Sequence, residues 1–503
     1  MNDVDEPLLS QRLGAFVADT QIDSLPPEVL EYGKRLLLDT LSCMVGGQAL
    51  TARQRAMVKA AAATGGRGSS TVLVSGEKLS PMGAAMVNAE AGSVLAASDS
   101  FFFSHTSTMV LANALALVEG RDGSGEELLM AYLLGLETAF VLQILSPSNL
   151  PPTSVGSAEK SVTDAQRSSA SRLNYVAVGA AAAAARALGL DAVQTAQALS
   201  IAAVTSPPRA APPTTRQRSV NYMSYYPQIQ TSMAAAQVAK GGFTGHVDVL
   251  EHLLETPLSD NIRQVDQKAV TGRIGSKWWI LEDSIKRFPS CRYVGGPLEL
   301  FEQIRDREGL VPDEITYVGV QVTPLVGNFG PIADASYDPD AEDPDTLLDV
   351  PFNTPYLIAM LAHGVPPGPE WYDLEKLADP AVRGFMPRVR LEIDEPAGEA
   401  LRESAATAEH LRVAESGATG IVVEARGMRF EGECGYVYGD PWFDKTRVDD
   451  KFQLQKSRAY LGPFLPEGRA DALVEAVGRI EKAPRIELLI SVLVSAGSNG
   501  SSD

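Results

Sequence analysis

The sequence predicts a mainly α-helical protein: a large all-helical domain carrying a smaller, inserted, lid-like α+β domain. Three observations support this. An apolar periodicity of three and four runs from Glu6 to about Leu254, strand-like alternation follows after about residue 270, and helical periodicity resumes from Asp449. At 503 residues the chain exceeds what one core ordinarily supports, so two unequal domains are expected. The boundaries fall at 1–268 for the helical domain, 269–445 for the α+β domain and 446–495 for helices returning to the first. Residues 496–503, GSNGSSD with its preceding residue, form a disordered tail.

In order along the chain, LEYGKRLLLDTLSCMVGG, GAAMVNAEAGSVLAA, GEELLMAYLLGLETAFVLQIL and VGAAAAAARALGLDAVQTAQALSIAAV each read as helix, with Gly or Pro at the joints. The run Ala180 to Ala185 is ended by Arg186 and predicts a helix packed tightly in a helical core, not a membrane span. Two stretches rich in Pro, Ser and Thr, 146–171 and 206–219, are loops, either functional lids or simply mobile segments. In the second domain, EITYVGVQVTP and VRLEID alternate as strands, and TGIVVEARGMRFEGECGYVYG reads as a strand pair. LLDVPFNTPYLIAMLAHGV and DLEKLADPAVRGFM supply helices between them. FQLQKSRAYLGPF, ADALVEAVGRIEKA and PRIELLISVLVSAG close the chain as helices.

Hydrophobic residues make up 45% and charged residues 21%, and the mean hydropathy is −0.03, which places the chain with folded globular proteins. A net charge of −20 repels polyanions at long range, so nucleic acid and anionic membrane are excluded as partners and a small molecule is expected. Cys43, Cys291 and Cys434 are widely spaced and form no C-x-x-C pair, as suits a reducing cytoplasm. The acidic start MNDVDEPLLSQRL lacks the features of a signal peptide, and no run reaches ~18 uninterrupted apolar residues, so an unanchored cytoplasmic protein is expected.

Nucleotide, P-loop, zincin and serine-hydrolase signatures are absent. The glycines of GGRGSS and KGGFTGH sit at turn positions. The five histidines have no paired spacing, and DPDAEDPD (338–345) is either a weak hard-cation site or a solvated acidic loop. The expectation is an enzyme without cofactor or metal. His105, in SVLAASDSFFFSHTSTMV, is either a satisfied structural residue bonded to nearby hydroxyls or a proton-transfer group.

Several stretches together resemble the MmgE/PrpD family of 2-methylcitrate dehydratases and cis-aconitate decarboxylases. They are LLLDTLSCMVGG, SHTSTMVLANALALVEG, GAAAAAARALGLDAVQTAQALSIAA, SVNYMSYYPQIQTSMAAAQVAKGGFTG and SIKRFPSCRYVGG. The resemblance implies a helical domain with a lid-like α+β domain, a homodimer, and an interdomain cleft for cofactor-free elimination or decarboxylation of carboxylates. Such chemistry builds negative charge on an enolate-like transition state and needs a base, an acid and cations over the carboxylates.

Many of the family's usual site positions are substituted. The first acidic position is Ala96 and the next Ser98, leaving Asp99; the retained histidine is His105. Asn221 stands for a lysine and Ser224 for a histidine, with Tyr225 and Tyr226 following. Gly295 replaces another histidine. The usual H-x-T is Ala170, Ser171, Arg172, with Asn174 and Tyr175 beside it. Lys286, Cys291, Arg292 and Tyr293 are retained. The resemblance makes His105, Asp99 and Lys286 the catalytic candidates; Asp99 either orients or supplies the acid, or caps the next turn. Arg292 either forks onto a substrate carboxylate or caps a helix end. Asn221, Ser224, Tyr225, Tyr175, Arg172 and Phe103 are the remaining binding candidates.

Loss of the acid at 96 and the lysine at 221 disfavours methylcitrate dehydration. Phe101, Phe102, Phe103, Tyr225 and Tyr226 either enlarge an aromatic cleft or belong to the core. The function expected is isomerisation or cyclisation of a relatively large, apolar, carboxylate- or enolate-bearing substrate in specialised metabolism. The alternatives are dehydration or decarboxylation of a small carboxylic acid, or a non-catalytic pseudoenzyme.

Overall fold

The computed structural model describes residues 6–102, 104–146, 172–207, 225–255, 265–327, 338–340, 342–407 and 419–495. Most of both Pro/Ser/Thr-rich interruptions and the whole GSNGSSD tail lie outside them. The fold is mainly α with a smaller α+β part, as the sequence predicts.

The helical part comprises α1 (Leu9–Asp19), α2 (Pro27–Gly46), α3 (Thr51–Gly65), α4 (Pro81–Val94), α5 (Ser107–Glu119), α6 (Gly125–Leu145), α7 (Tyr175–Ala187), α8 (Ala192–Thr205), α9 (Tyr225–Lys240) and α10 (Val249–Glu255). Helix α6 opens on a reciprocal capping box between Ser124 and Glu127. It is long and apolar enough to cross a membrane, yet it is enclosed within the protein by α1, α2, α5 and α7. Its crossing with α7 explains the alanine run. A Cβ on Gly179 would lie 2.5 Å from the Ala139 Cβ and 2.7 Å from the Gly135 carbonyl oxygen, so the two backbones touch where only hydrogen fits.

In GGRGSS, Gly65 and Gly66 (φ 72°) turn the chain out of α3 as expected, whereas Gly68 departs from that reading and lies in a strand. Arg67–Thr71 forms strand β1, which pairs antiparallel with β2 (Lys78–Leu79). The Ser70 hydroxyl donates to the Ala116 carbonyl at 2.7 Å, the Thr71 amide to Glu119 at 2.6 Å, and Asn88 bonds both Leu73 and Thr71. The segment is thus held extended by groups of the neighbouring helices α4 and α5.

The α+β part follows α11 (Gln267–Thr271) and contains α12 (Gly295–Glu308), β3 (Ile315–Val322), α13 (Thr354–Ala362), α14 (Leu374–Ala378), α15 (Pro380–Phe385), β4 (Val389–Ile393), α16 (Glu395–Thr407), β5 (Thr419–Ala425) and β6 (Met428–Cys434). The sheet order is β4-β3-β5-β6, with β3 parallel to β4 and the other pairs antiparallel; Val320 stands between Leu391 and Ile421. Arg426 (φ 55°) and Gly427 (φ 71°) close the β5–β6 hairpin in two residues, the left-handed pair that matches strand twist. Helix α12 covers β5 and β6.

Each of the two helical stretches read there is split at a capping residue. Asn353 accepts from the Tyr356 amide at 3.2 Å and divides a 3-10 turn from α13. Asp379, ahead of Pro380, accepts from the Ala381 amide at 2.8 Å and divides α14 from α15. Helices α17 (Asp450–Leu461) and α18 (Arg469–Gly478) then pack on α2, and α19 (Glu487–Val492) packs on α18. Ser42 and Ser457 share a buried hydroxyl contact at 2.9 Å.

Candidate active site

Two irregular segments, 95–106 and 278–292, run side by side between α4, α5 and α12. Ser100 and Ser284 exchange backbone hydrogen bonds of 2.9 and 3.2 Å. Beyond α4 the chain turns sharply through Ala96 (φ 48°), and again at Phe102 (φ 51°) where Phe101 and Ser104 close a tight loop. Phe101 faces inward and stacks on Phe140 at 4.1 Å. Phe101 is therefore core, and Phe102 is buried as well; Phe103 lies outside the described residues.

This loop presents Asp99 and His105. One Asp99 carboxylate oxygen accepts from the Thr106 amide at 2.9 Å and the Ser107 amide at 3.2 Å, so it satisfies the first turn of α5. Burial pushes Asp99 up to about 6, against the pull of those two amides and of Lys286. The His105 Nδ1 lies 2.6 Å from the Asp99 carbonyl oxygen. A carbonyl can only accept, so Nδ1 carries the proton, and Nε2 is the accepting nitrogen of the neutral ring.

From the facing segment, Lys286 is buried, and its Nζ donates to the Ala96 carbonyl and, at 3.3 Å, to the Ser290 carbonyl. Burial pulls its pKa down to about 8, with Cys291 and Asp99 opposing. A gap of about 10 Å³ beside it, bounded also by Ser290, Arg292 and Tyr438, has room for about one water. The Lys456 ammonium lies behind, bonded to the Lys286 carbonyl at 2.8 Å, the Ala97 carbonyl at 2.9 Å and Asp39 at 2.6 Å. Burial lowers the Lys456 pKa, but Asp39 and Cys43 outweigh it, so the lysine is held charged.

Arg292 neither forks outward nor caps a helix end. It pairs with Asp440, a fully buried carboxylate that also accepts from the Ser284 hydroxyl at 2.9 Å and the Val437 amide at 3.1 Å. Asp283 is fully buried too, and among the described residues only the Ser284 and Ser100 backbone amides offset the burial of its carboxyl group. Burial, then Asp99 and Asp39, raises its pKa well above the carboxylate range. The segment's start is fixed by Glu137 of α6, which accepts from the Trp279 and Ile280 amides at 2.9 and 3.0 Å; burial pushes it up to about 7.

The structure thus gathers Asp99, His105 and Lys286, with Arg292 nearby but tied to Asp440. Tyr175 is buried at the start of α7, whose cap is Asn174, and Arg172 is exposed. Asn221 and Ser224 lie outside the described residues; Tyr225 opens α9. Asp39, Asp440 and Lys456 join the cluster from distant parts of the chain, and Asp283 from within the Lys286 segment itself. The only sequence signal for Asp39 is an acid inside the apolar run LLLDTLSC. Among the described residues, no three His, Cys, Asp or Glu side chains are grouped to hold a metal ion.

The architecture is a helical part bearing a smaller α+β part, with Lys286 and His105 each held by the 95–106 segment. Two family models match the chain: the MmgE/PrpD N-terminal domain matches residues 11–253 and the MmgE/PrpD C-terminal domain matches 288–481. The chain belongs to the MmgE/PrpD family. No individual protein of curated function matches it.

Proposed function

We propose that this family member is a cofactor-independent enzyme that isomerises or cyclises a substrate bearing one carboxylate or enolate; the gap beside Lys286, with room for about one water, lends no support to a large apolar body. One observation carries the reading. Of the three cations in the cluster, Arg292 holds Asp440 and Lys456 holds Asp39, whereas Lys286 is bonded only to carbonyl oxygens. Among the described residues the cluster therefore offers one uncommitted positive charge, which suits a substrate with one negative oxygen and not a tricarboxylic acid. Lys286 donates to the oxygen on which charge develops, a contact worth roughly 10²–10³ in rate when water is excluded. His105 moves the proton at Nε2 while the Asp99 carbonyl holds its tautomer; Asp99 acts as a positioning residue. The enzyme works as a cytoplasmic homodimer.

A second reading, dehydration or decarboxylation of a small acid, is favoured by family membership itself. Incubation with extract from a host lacking the gene, followed by mass spectrometry, separates the two. An isobaric product with a new retention time supports isomerisation or cyclisation. A product lighter by one water or one carbon dioxide supports the second reading, and no change in any compound supports a pseudoenzyme. With a substrate in hand, unchanged turnover in the His105→Ala, Lys286→Ala variant overturns both catalytic readings.

A further inference from the structure

Three consecutive carbonyl oxygens on one side of the seam are each taken by a side chain. The Leu95 carbonyl accepts from the Tyr372 hydroxyl at 2.8 Å, the Ala96 carbonyl from the Lys286 ammonium, and the Ala97 carbonyl from the Lys456 ammonium at 2.9 Å. Each donor also reaches a carbonyl of the facing segment: Tyr372 that of Pro289 at 3.2 Å, Lys286 that of Ser290 at 3.3 Å, and Lys456 that of Lys286 at 2.8 Å. The two segments are thus stapled three times in a row, by side chains of residues no more than 6% exposed. The staples come from different places. Lys286 belongs to the facing segment itself, Lys456 to α17, and Tyr372 to a 3-10 turn, Pro369–Tyr372, in the α+β part.

The middle staple is the one that has to open. An ammonium that turns to a substrate oxygen gives up the Ala96 or the Ser290 carbonyl, and a buried carbonyl without its donor favours rearrangement of the backbone that carries it. Lys456 is anchored to Asp39 at 2.6 Å and stays in place, which secures one end of the stapled stretch; only Tyr372 secures the other by a bond of this kind. We propose that Tyr372 is a positioning residue for Lys286: its hydroxyl ties Leu95 to Pro289 and keeps the seam closed around the ammonium while Lys286 exchanges its own carbonyls for substrate. This rests on the reading of Lys286 as the group that meets the substrate's negative oxygen. The α+β part thereby reaches the lysine through the backbone.

Lys286 itself reports the outcome, without a substrate. Burial brings its pKa from 10.5 to about 8, so loosening the seam, which admits water, raises it. In the full chain with lysine labelled at the ε carbon, NMR titration follows the resonance that Lys286→Met removes. Tyr372→Phe keeps the ring and deletes the hydroxyl, and Lys286 is then expected to titrate at about 9 or higher. Tyr356→Phe is the matched control: the Tyr356 hydroxyl is buried as well and donates at 2.9 Å to the carbonyl of Trp371, in the same 3-10 turn, and not to the seam. It should lower thermal stability by a similar amount and leave Lys286 where it was. Asp39, Asp99, Lys456, Cys43 and Cys291, the titratable groups that act on Lys286, are untouched in both variants, so a shift reports on water and not on charge. If Tyr372→Phe does not fold, as judged by thermal unfolding, Tyr372→Met fills the space without a donor. A Lys286 that titrates near 8 in the wild type and in the folded Tyr372 variant would overturn this inference and leave the proposed function standing. An equal rise in Tyr356→Phe would also overturn it, by reducing Tyr372 to general packing. Titration near 10.5 in the wild type would overturn the reading of Lys286 and this inference with it.

Discussion

Replacing Lys286 with methionine keeps the length of the side chain and removes its charge, so the variant isolates the cost of burying an ammonium. That pKa drops from 10.5 to about 8, chiefly through burial. At about 1.4 kcal/mol per pH unit, the folded protein gives up about 3 kcal/mol whenever the amine is protonated in both states. The sign follows from proton counting. Between about pH 8 and 10.5 the unfolded chain binds a proton that the folded chain has released, so wild-type stability rises with pH across that window and the deficit is complete below it. Lys286→Met has no such gain. The variant also leaves the Ala96 and Ser290 carbonyls without their donor, which offsets part of the relief by about 1 to 3 kcal/mol at every pH. Urea denaturation of both proteins across the window gives the difference directly, and groups that titrate alike in the two cancel. If the wild type gains nothing over the variant between about pH 8 and 10, the lysine is not held in the way argued and the proposed electrophilic role loses its basis.

Asp99→Asn removes a carboxyl whose pKa is raised from 3.8 to about 6; wild-type stability should fall relative to the variant by about 3 kcal/mol as pH rises through that interval, measured by urea midpoints at each end. Arg292→Met strands the buried Asp440 and should cost about 3 to 5 kcal/mol, whereas Arg292→Met with Asp440→Leu should recover most of it. Equal destabilisation of the single and double variants in denaturant melts would show that the pair is not coupled. Cys43 and Cys291 are buried, with burial raising both thiols and taking Cys291 up to about 11, while Cys434 is half-buried at the end of β6. Iodoacetamide at neutral pH should therefore label Cys434 first in the native protein, and peptide mapping that finds Cys291 ahead of it would contradict the packing described.

Helix content was legible because periodicity is local: the stretches containing α2, α4, α6, α7 and α8 each announce a buried face within their own residues. The β5–β6 hairpin was legible for the same reason, Arg-Gly standing between two alternating runs. Strand β1 was not, because what extends it is bonding to Ala116, Glu119 and Asn88, none of them adjacent. In the site, Asp99, His105 and Lys286 were picked out by resemblance, and the capping alternative for Asp99 was already open in the residues. The fate of Arg292 was hidden, since Asp440 stands 148 positions further on and nothing in either local sequence points to the other. The same holds for Lys456: only the assembled fold shows that its ammonium ties the Lys286 carbonyl to the Ala97 carbonyl of the facing segment.

The pairing of Asp39 with Lys456 also has a consequence in time. The two partners are separated by 417 positions (456 − 39), so at about 5 to 20 residues per second the ribosome needs roughly 20 to 80 s to deliver the second after the first. Throughout that interval helix α2 carries an acid that its own hydrophobic surroundings cannot neutralise. A core that closes around α2 before Lys456 has emerged buries that acid without its partner, so the helix that carries Lys456 completes a site begun by α2.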